Sequence, residues 1–121
     1  MSQNSVLLEK SLYFAAKIIK LHAYLKNEKH ESVISNQIIR SATSIGANAN
    51  EAIYGVSRAD FISKLHICVK ETAETEYWLR LLVLSDLISQ NEGQSLIRDC
   101  LEIKKILVAT LTTSKENNSV Q

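Results

Sequence analysis

The stretch Ser32-Val33-Ile34-Ser35-Asn36-Gln37-Ile38-Ile39-Arg40-Ser41-Ala42-Thr43-Ser44-Ile45-Gly46-Ala47-Asn48-Ala49-Asn50-Glu51-Ala52-Ile53-Tyr54 decides the fold. Ile34, Ile38, Ala42, Ile45, Ala49 and Ile53 recur at three and four, the rhythm of one face of an α-helix. Over the whole stretch only Arg40 and Glu51 are charged, so this helix is too bare of charge to stand in water on its remaining faces. The reading is a helix over residues 32–54, packed on more than one side.

The same rhythm extends outward in both directions. Upstream, Leu7, Phe14, Ile18, Leu21 and Leu25 predict helix one over residues 5–27, and the polar run Lys26–Ser32 separates it from helix two. Downstream, Gly55 stands where a left-handed residue would close helix two. Ser57-Arg58-Ala59-Asp60 then reads as a capping box opening helix three. Phe61, Leu65, Cys68, Thr72, Leu79 and Val83 carry helix three to about Leu87, roughly 45 Å at 1.5 Å per residue. Ser89–Gly93 connects to helix four, marked by Leu96, Cys100, Ile103, Leu107 and Leu111. Thr112–Gln121 has nothing to bury and is expected to be a disordered polar tail. Residues 1–111 thus form a single all-α domain, an antiparallel up-down-up-down four-helix bundle, because short connections force neighbouring helices to run antiparallel.

Composition agrees. The 121 residues contain no proline and three glycines, too little punctuation for a sheet protein. Gly46, Gly55 and Gly93 cannot be arranged into a phosphate-cradling loop or a dinucleotide fingerprint. Fourteen basic and thirteen acidic residues leave a net charge of +1, so nucleic-acid binding would need a local patch. Cys68 and Cys100 lie within apolar helical patterns, which suggests reduced core thiols. No apolar run approaches the ~18 residues of a membrane span, and no signal-like segment opens the chain. The expected location is the cytoplasm.

Helix three has more apolar surface than one bundle needs. With Phe61 at zero on the helical wheel, Phe61, Leu65, Cys68, Leu79 and Val83 take one side, and Ile67, Trp78, Leu81 and Leu82 the other. The second set, together with bare helix two, is read as a subunit interface of a homo-oligomer. Between these helices runs a polar stripe: Gln37, Arg40, Ser44, Asn48 and Glu51 on helix two, with Glu71, Glu74 and Thr75 on helix three. A turn centred near residues 55 and 56 sets Arg40 opposite Glu71 and Gln37 opposite Glu74. An Arg–Glu ion pair follows. It could hold a carboxylate for acid–base work, but a buried Arg needs a carboxylate in any case, so the stripe is read as structural polar glue that sets register in the interior.

At the stripe the sequence becomes recognisable. Gln37-Ile38-Ile39-Arg40-Ser41-Ala42-Thr43-Ser44-Ile45-Gly46-Ala47-Asn48, then Ser57-Arg58-Ala59-Asp60-Phe61-Ile62, then Lys70-Glu71-Thr72-Ala73-Glu74-Thr75-Glu76-Tyr77-Trp78-Leu79 resemble the four-helix-bundle proteins of the 23S rRNA intervening sequence family, over about Lys10 to Leu111. Asn50-Glu51-Ala52 departs from the Ala-Glu-Gly of many members. The resemblance implies a cup- or ring-shaped homo-oligomer, a pentamer, and implies no enzymatic activity, since the family is named for where some of its genes lie. A related branch, the accessory proteins of diversity-generating retroelements, forms similar rings that bind nucleic acid and a reverse transcriptase; that branch is strongly basic, whereas this chain is nearly neutral.

The residues themselves point away from an enzyme. A di-iron bundle needs Glu-x-x-His, and none of His22, His30 or His66 has a Glu three residues before it. His66 and Cys68 point about 200° apart on their helix and cannot share a metal. No cofactor or metal site is expected. The leading expectation is a non-enzymatic oligomeric scaffold for an unidentified protein partner, away from any membrane. The alternative is an RNA- or DNA-binding accessory protein using Lys10, Tyr13, Lys17, Lys20 and Tyr24, which share about 80° of helix one and combine cations with stacking faces. The bland reading of that face is a solvated surface with snorkelling side chains.

Overall fold

A computed structural model of the chain describes residues 2–120. It contains four helices, α1 (Gln3–Asn27), α2 (Val33–Ile53), α3 (Arg58–Leu84) and α4 (Gln90–Val120), and no strand among the described residues. Each helix packs on its neighbours in sequence and α1 also closes on α4, whereas the backbones of the diagonal pairs α1–α3 and α2–α4 stay apart. Cross-helix contacts show each adjacent pair running antiparallel: Ser11 meets Gly46 while His22 meets Asn36, Arg40 meets Glu71 while Glu51 meets Lys64, Arg58 meets Ser114 while Thr72 meets Cys100, and Lys10 meets Glu102 while Lys17 meets Asp99.

The helix starts are built from side chains. Ser57 Oγ accepts from Asp60 N at 3.1 Å, the first half of the expected capping box. Ser89 does the same for Glu92 N, also at 3.1 Å. For α2 the cap is Glu31, whose carboxylate accepts from Val33, Ile34 and Ser35 backbone N–H groups at 2.9–3.1 Å. Gly55 has no positive φ; the left-handed residues are His30 (φ 54°) and Asp86 (φ 60°), which follow α1 and α3. Polar Asp and His adopt that region more readily than most non-glycine residues. Space at Gly55 is tight for a different reason, since a Cβ there would press on the Glu51 and Ala52 carbonyl oxygens at 3.1 and 3.3 Å and displace the Asp60 carboxylate.

Buried positions follow a three-and-four spacing along every helix, from Leu7 to Leu25, Ser35 to Ala52, Leu65 to Leu82 and Leu96 to Ser114, with the adjacent buried pairs Ser41–Ala42, Glu71–Thr72 and Thr110–Leu111 widening it. This is a 3.5-residue repeat, the seam of a left-handed bundle. It corrects the reading of α3, whose seam is Leu65, Cys68, Thr72, Thr75, Leu79 and Leu82. Thr72 and Thr75 occupy core positions, so a wheel drawn from apolar residues alone and started at Phe61 is rotated. Leu82, expected at an interface, is fully buried in the chain's own core, while Phe61 and Val83 sit at its margin. The core hydroxyls are satisfied locally: Ser11 donates to Leu7 O at 2.7 Å, Thr72 to Val69 O at 2.7 Å and Thr75 to Glu71 O at 2.8 Å.

Two boundaries also differ from the sequence reading. Helix α3 stops at Leu84, and Gly93 falls inside the first turn of α4 rather than in the connection. Helix α4 continues through the expected tail to Val120, with Leu111 and Ser114 buried and Arg58 donating to Ser114 O at 3.4 Å. The physical reason is that Thr110 and Ser114 extend the buried spacing with polar residues. Gln121, the last residue of that tail, lies outside the described residues.

Candidate functional site

The polar stripe is assembled as an ion-paired network at the α2–α3 seam. Arg40 Nη1 donates to Glu71 Oε2 at 3.4 Å and Arg40 Nη2 pairs with Glu74, whose same oxygen accepts from the Trp78 indole at 3.3 Å. Thr75 Oγ1 is 2.8 Å from Ser41 Oγ, Asn48 Nδ2 donates to Ser44 O and Oγ at 2.9 Å, and Lys64 reaches Glu51 at 3.0 Å. Glu51 holds the Lys64 ammonium above its usual range by hydrogen bond and charge. The network sits at the edge of the core and not within it, because the Arg40 side chain is 51% exposed while that of Glu71 is 11% exposed. Gln37 remains exposed, and Glu74, expected opposite it, turns instead to Arg40.

The Lys/Tyr face of α1 meets acids that the sequence reading did not place. Lys10 pairs with Glu102 and Lys17 with Asp99, both at 2.8 Å; the Glu102 hydrogen bond and charge raise the Lys10 pKa above its ordinary value. Between α1 and α4 lies a groove of about 390 Å³ with Val6, Phe14 and Ile103 in its lining, rimmed by Glu9, Lys10, Lys17, Asp99 and Glu102. Tyr13 stands in it, 62% exposed. A second hollow along the same seam brings Lys17, Lys20 and Tyr24 together with Glu92. The five expected residues therefore do line one seam, but the acids of α4 face them. Only the spacing of Glu92, Asp99 and Glu102 hinted at this, and no loop fixes the α1–α4 register.

A third surface was missed. Leu12 of α1 is 69% exposed and lines an open groove of about 610 Å³ shared with small α2 residues including Thr43, Gly46 and Ala47, with Glu9 its one charged member; Ile19, 51% exposed, lies two turns further along α1. The interface residues expected on α3 divide: Ile67 is exposed, Leu81 and Trp78 are half-buried, and Leu82 is core. Tyr77 and Leu84, which the wheel did not single out, are the more exposed apolar side chains of α3.

Cys68 and Cys100 are free and buried, with their thiols donating to Ile45 O at 3.4 Å and Thr72 O at 3.3 Å. Burial pushes each thiol up to about 12. His22 shares a 3.0 Å hydrogen bond with Asn36. Among the described residues, no three His, Cys, Asp or Glu side chains gather to hold a metal ion, and no helix is long and apolar enough to cross a membrane.

Comparison with curated proteins gives no match. Among solved structures, the chain is similar to the 1.70 Å crystal structure of a protein of unknown function from the S23 ribosomal protein family of Bacteroides thetaiotaomicron VPI-5482, with 47% identity over 92% of this chain and 99% of that one, and a TM-score of 0.90. The family model of the 23S rRNA-intervening sequence protein matches residues 3–109. With nearly the whole bundle inside that match, the chain belongs to the 23S rRNA-intervening sequence protein family.

Proposed function

We propose that this protein is one subunit of a ring-like homo-oligomer, a pentamer as the family resemblance implies, and that the ring is a non-enzymatic cytoplasmic scaffold for a protein partner. The observation that carries the proposal is the apolar α1–α2 surface, where Leu12 is left in water at the small-residue groove of Thr43, Gly46 and Ala47, with the exposed Ile19 two turns further along α1. Contiguous exposed apolar surface rimmed by polar residues is a mark of protein–protein contact. A ring needs two different faces that meet head to tail, and the exposed residues of α3, Ile67, Tyr77 and Leu84, supply the second. The scaffold reading draws further support from neutral, buried thiols, which are poor nucleophiles.

Light scattering tests it. In about 1 M salt, which screens surface ion pairs, the wild type is expected at about five times the 13.6 kDa subunit mass, and Leu12→Glu at the subunit mass with its helicity retained, because the side chain lies outside the core. A monomeric wild type, or an unchanged assembly in the variant, overturns the reading. The nucleic-acid alternative is carried less far, since Lys10 and Lys17 already spend charge on Glu102 and Asp99.

A further inference from the structure

The α1–α4 seam carries a charge arrangement that neither the ring nor the scaffold uses. Its α1 edge presents Lys10 and Lys17, and its α4 edge presents Glu102 and Asp99 at the same two heights, since each lysine bonds the acid directly across from it at 2.8 Å. All four side chains stay about one-third to one-half exposed. Each ammonium has three N–H donors and each carboxylate two oxygens, so every member can take a second partner. Between the rows lie an apolar groove of about 390 Å³ and the outward Tyr13 ring.

We propose that this face pairs with the same face of a second copy of the chain, about a two-fold axis parallel to the helices. Such an axis keeps every residue at its height and exchanges left with right. Lys17 of the second copy then lies over Asp99 of the first, and Lys10 over Glu102, which converts each intrachain pair into an alternating four-membered ring of charge. A two-fold running across the helices does the opposite, laying α1 on α1 and lysine on lysine, so the charges select one orientation. The two Tyr13 rings meet near the axis, an aromatic centre inside a charged rim. A polyanion finds the face less suitable, because Glu9, Asp99 and Glu102 outnumber Lys10 and Lys17 around the groove. The proposal concerns the α4 side of α1, which adjoins the α1–α2 surface at Glu9 and Tyr13, and its charge pairing does not depend on that surface.

The test exploits the intrachain pairs. A variant combining Lys10→Glu, Lys17→Glu, Asp99→Lys and Glu102→Lys keeps opposite charges across the seam of each chain, so its fold is protected, but in the proposed orientation it faces an unswapped copy with like charges. The crosswise two-fold would match that mixed pair, but it sends the exposed Asn27 of the two copies to opposite ends, about 40 Å apart at 1.5 Å per residue, whereas the proposed axis keeps them at one height. Proteins carrying a short-range donor or acceptor at position 27 are mixed as wild type with wild type, swapped with swapped, and wild type with swapped. Energy transfer and light scattering are followed from about 0.01 M to about 1 M salt, where the Debye length shrinks from about 30 Å to about 3 Å. We expect salt-sensitive transfer in both matched mixtures and none in the mismatched one, with the wild-type mass at least doubling from high to low salt. Equal salt-sensitive transfer in all three mixtures places the contact elsewhere and overturns the proposal, as does its absence from all three. Steeply salt-dependent binding of labelled single-stranded RNA by a wild type that does not self-associate also overturns it. Transfer that survives high salt reports the apolar ring separately, so the two readings fail independently.

Discussion

Gly93 offers the sharpest test of the packing. It lies in the first turn of α4 and is buried against the end of α3. A Cβ added there would sit 2.1 Å from Val83 Cγ2 and 3.4 Å from Ile88 Cδ1. Carbon atoms in good contact are about 3.5 Å apart or more, so the valine methyl must retreat by about 1.4 Å. Valine is β-branched and strongly prefers one χ1 rotamer in a helix, so relief requires an off-rotamer side chain or a backbone shift, and such overpacking costs about 1–3 kcal/mol. Against this, alanine gains at most about 1 kcal/mol over glycine in a helix interior, and less in a first turn. Gly93→Ala is therefore expected to lose about 1–2 kcal/mol, a fall in Tm of about 5 °C for a domain of this size. Thermal melts of Gly93→Ala, Val83→Ala and the double variant, followed by circular dichroism, form a cycle in which removing the methyl relieves the clash. The double variant should be more stable than the two single losses sum to, by about 1–2 kcal/mol. A Gly93→Ala protein as stable as wild type, or strictly additive losses, would refute the reasoning.

Arg40→Ala strands the largely buried Glu71 carboxylate but removes a half-exposed cation, so the loss should fall between the exposed and buried limits, about 1–3 kcal/mol; a melt within error of wild type shows the network to be solvated throughout. The thiols give a pH signature. Their folded pKa is raised by burial from about 9 to about 12, so the proton is held more tightly in the folded state. That contribution is complete below about pH 9 and is lost as pH rises towards 12. Tm should fall over that window more steeply in wild type than in Cys68→Ala, and alkylation at pH 8 should await unfolding; rapid modification of the native protein contradicts the burial.

The four helices were legible because their apolar residues repeat at three and four, and the Arg40–Glu71 pair because a four-residue connection leaves little freedom in the α2–α3 register. What escaped the sequence escaped for definite reasons. Thr72, Thr75, Thr110 and Ser114 fill core positions as hydroxyls bonded to carbonyls of the preceding turn in three of the four cases described, so hydropathy alone turned α3 and ended α4 early. Glu31, a long side chain that folds back onto its own helix start, caps α2 from within the run Lys26–Ser32, where composition shows only a polar separator. The acids facing Lys10 and Lys17 depend on the pairing of the first helix with the last, which no local signal encodes. The exposed Leu12 and Ile19 were hidden because a wheel of helix one was read for its core and its cations only.

The ring of neighbours is unequal, and this bears on how the chain folds. Three of its four helix pairs are hairpins joined by short connections, whereas α1 meets α4 only by joining the two ends of the sequence, and these two touch least of all. Local hairpins form early at small entropic cost, while a contact between distant segments must first close a long loop. The α2–α3 hairpin, the most extensively packed pair, is thus the natural nucleus, and the α1–α4 seam is the last to shut and the first to part. Native-state amide exchange should follow that order, slowest in α2 and α3 and faster in α1 and in the half of α4 beside it; uniform protection would show that the bundle opens only as a whole. Brief parting at this seam would also let α1 of one molecule close on α4 of another, making it the place where the bundle is open to domain exchange.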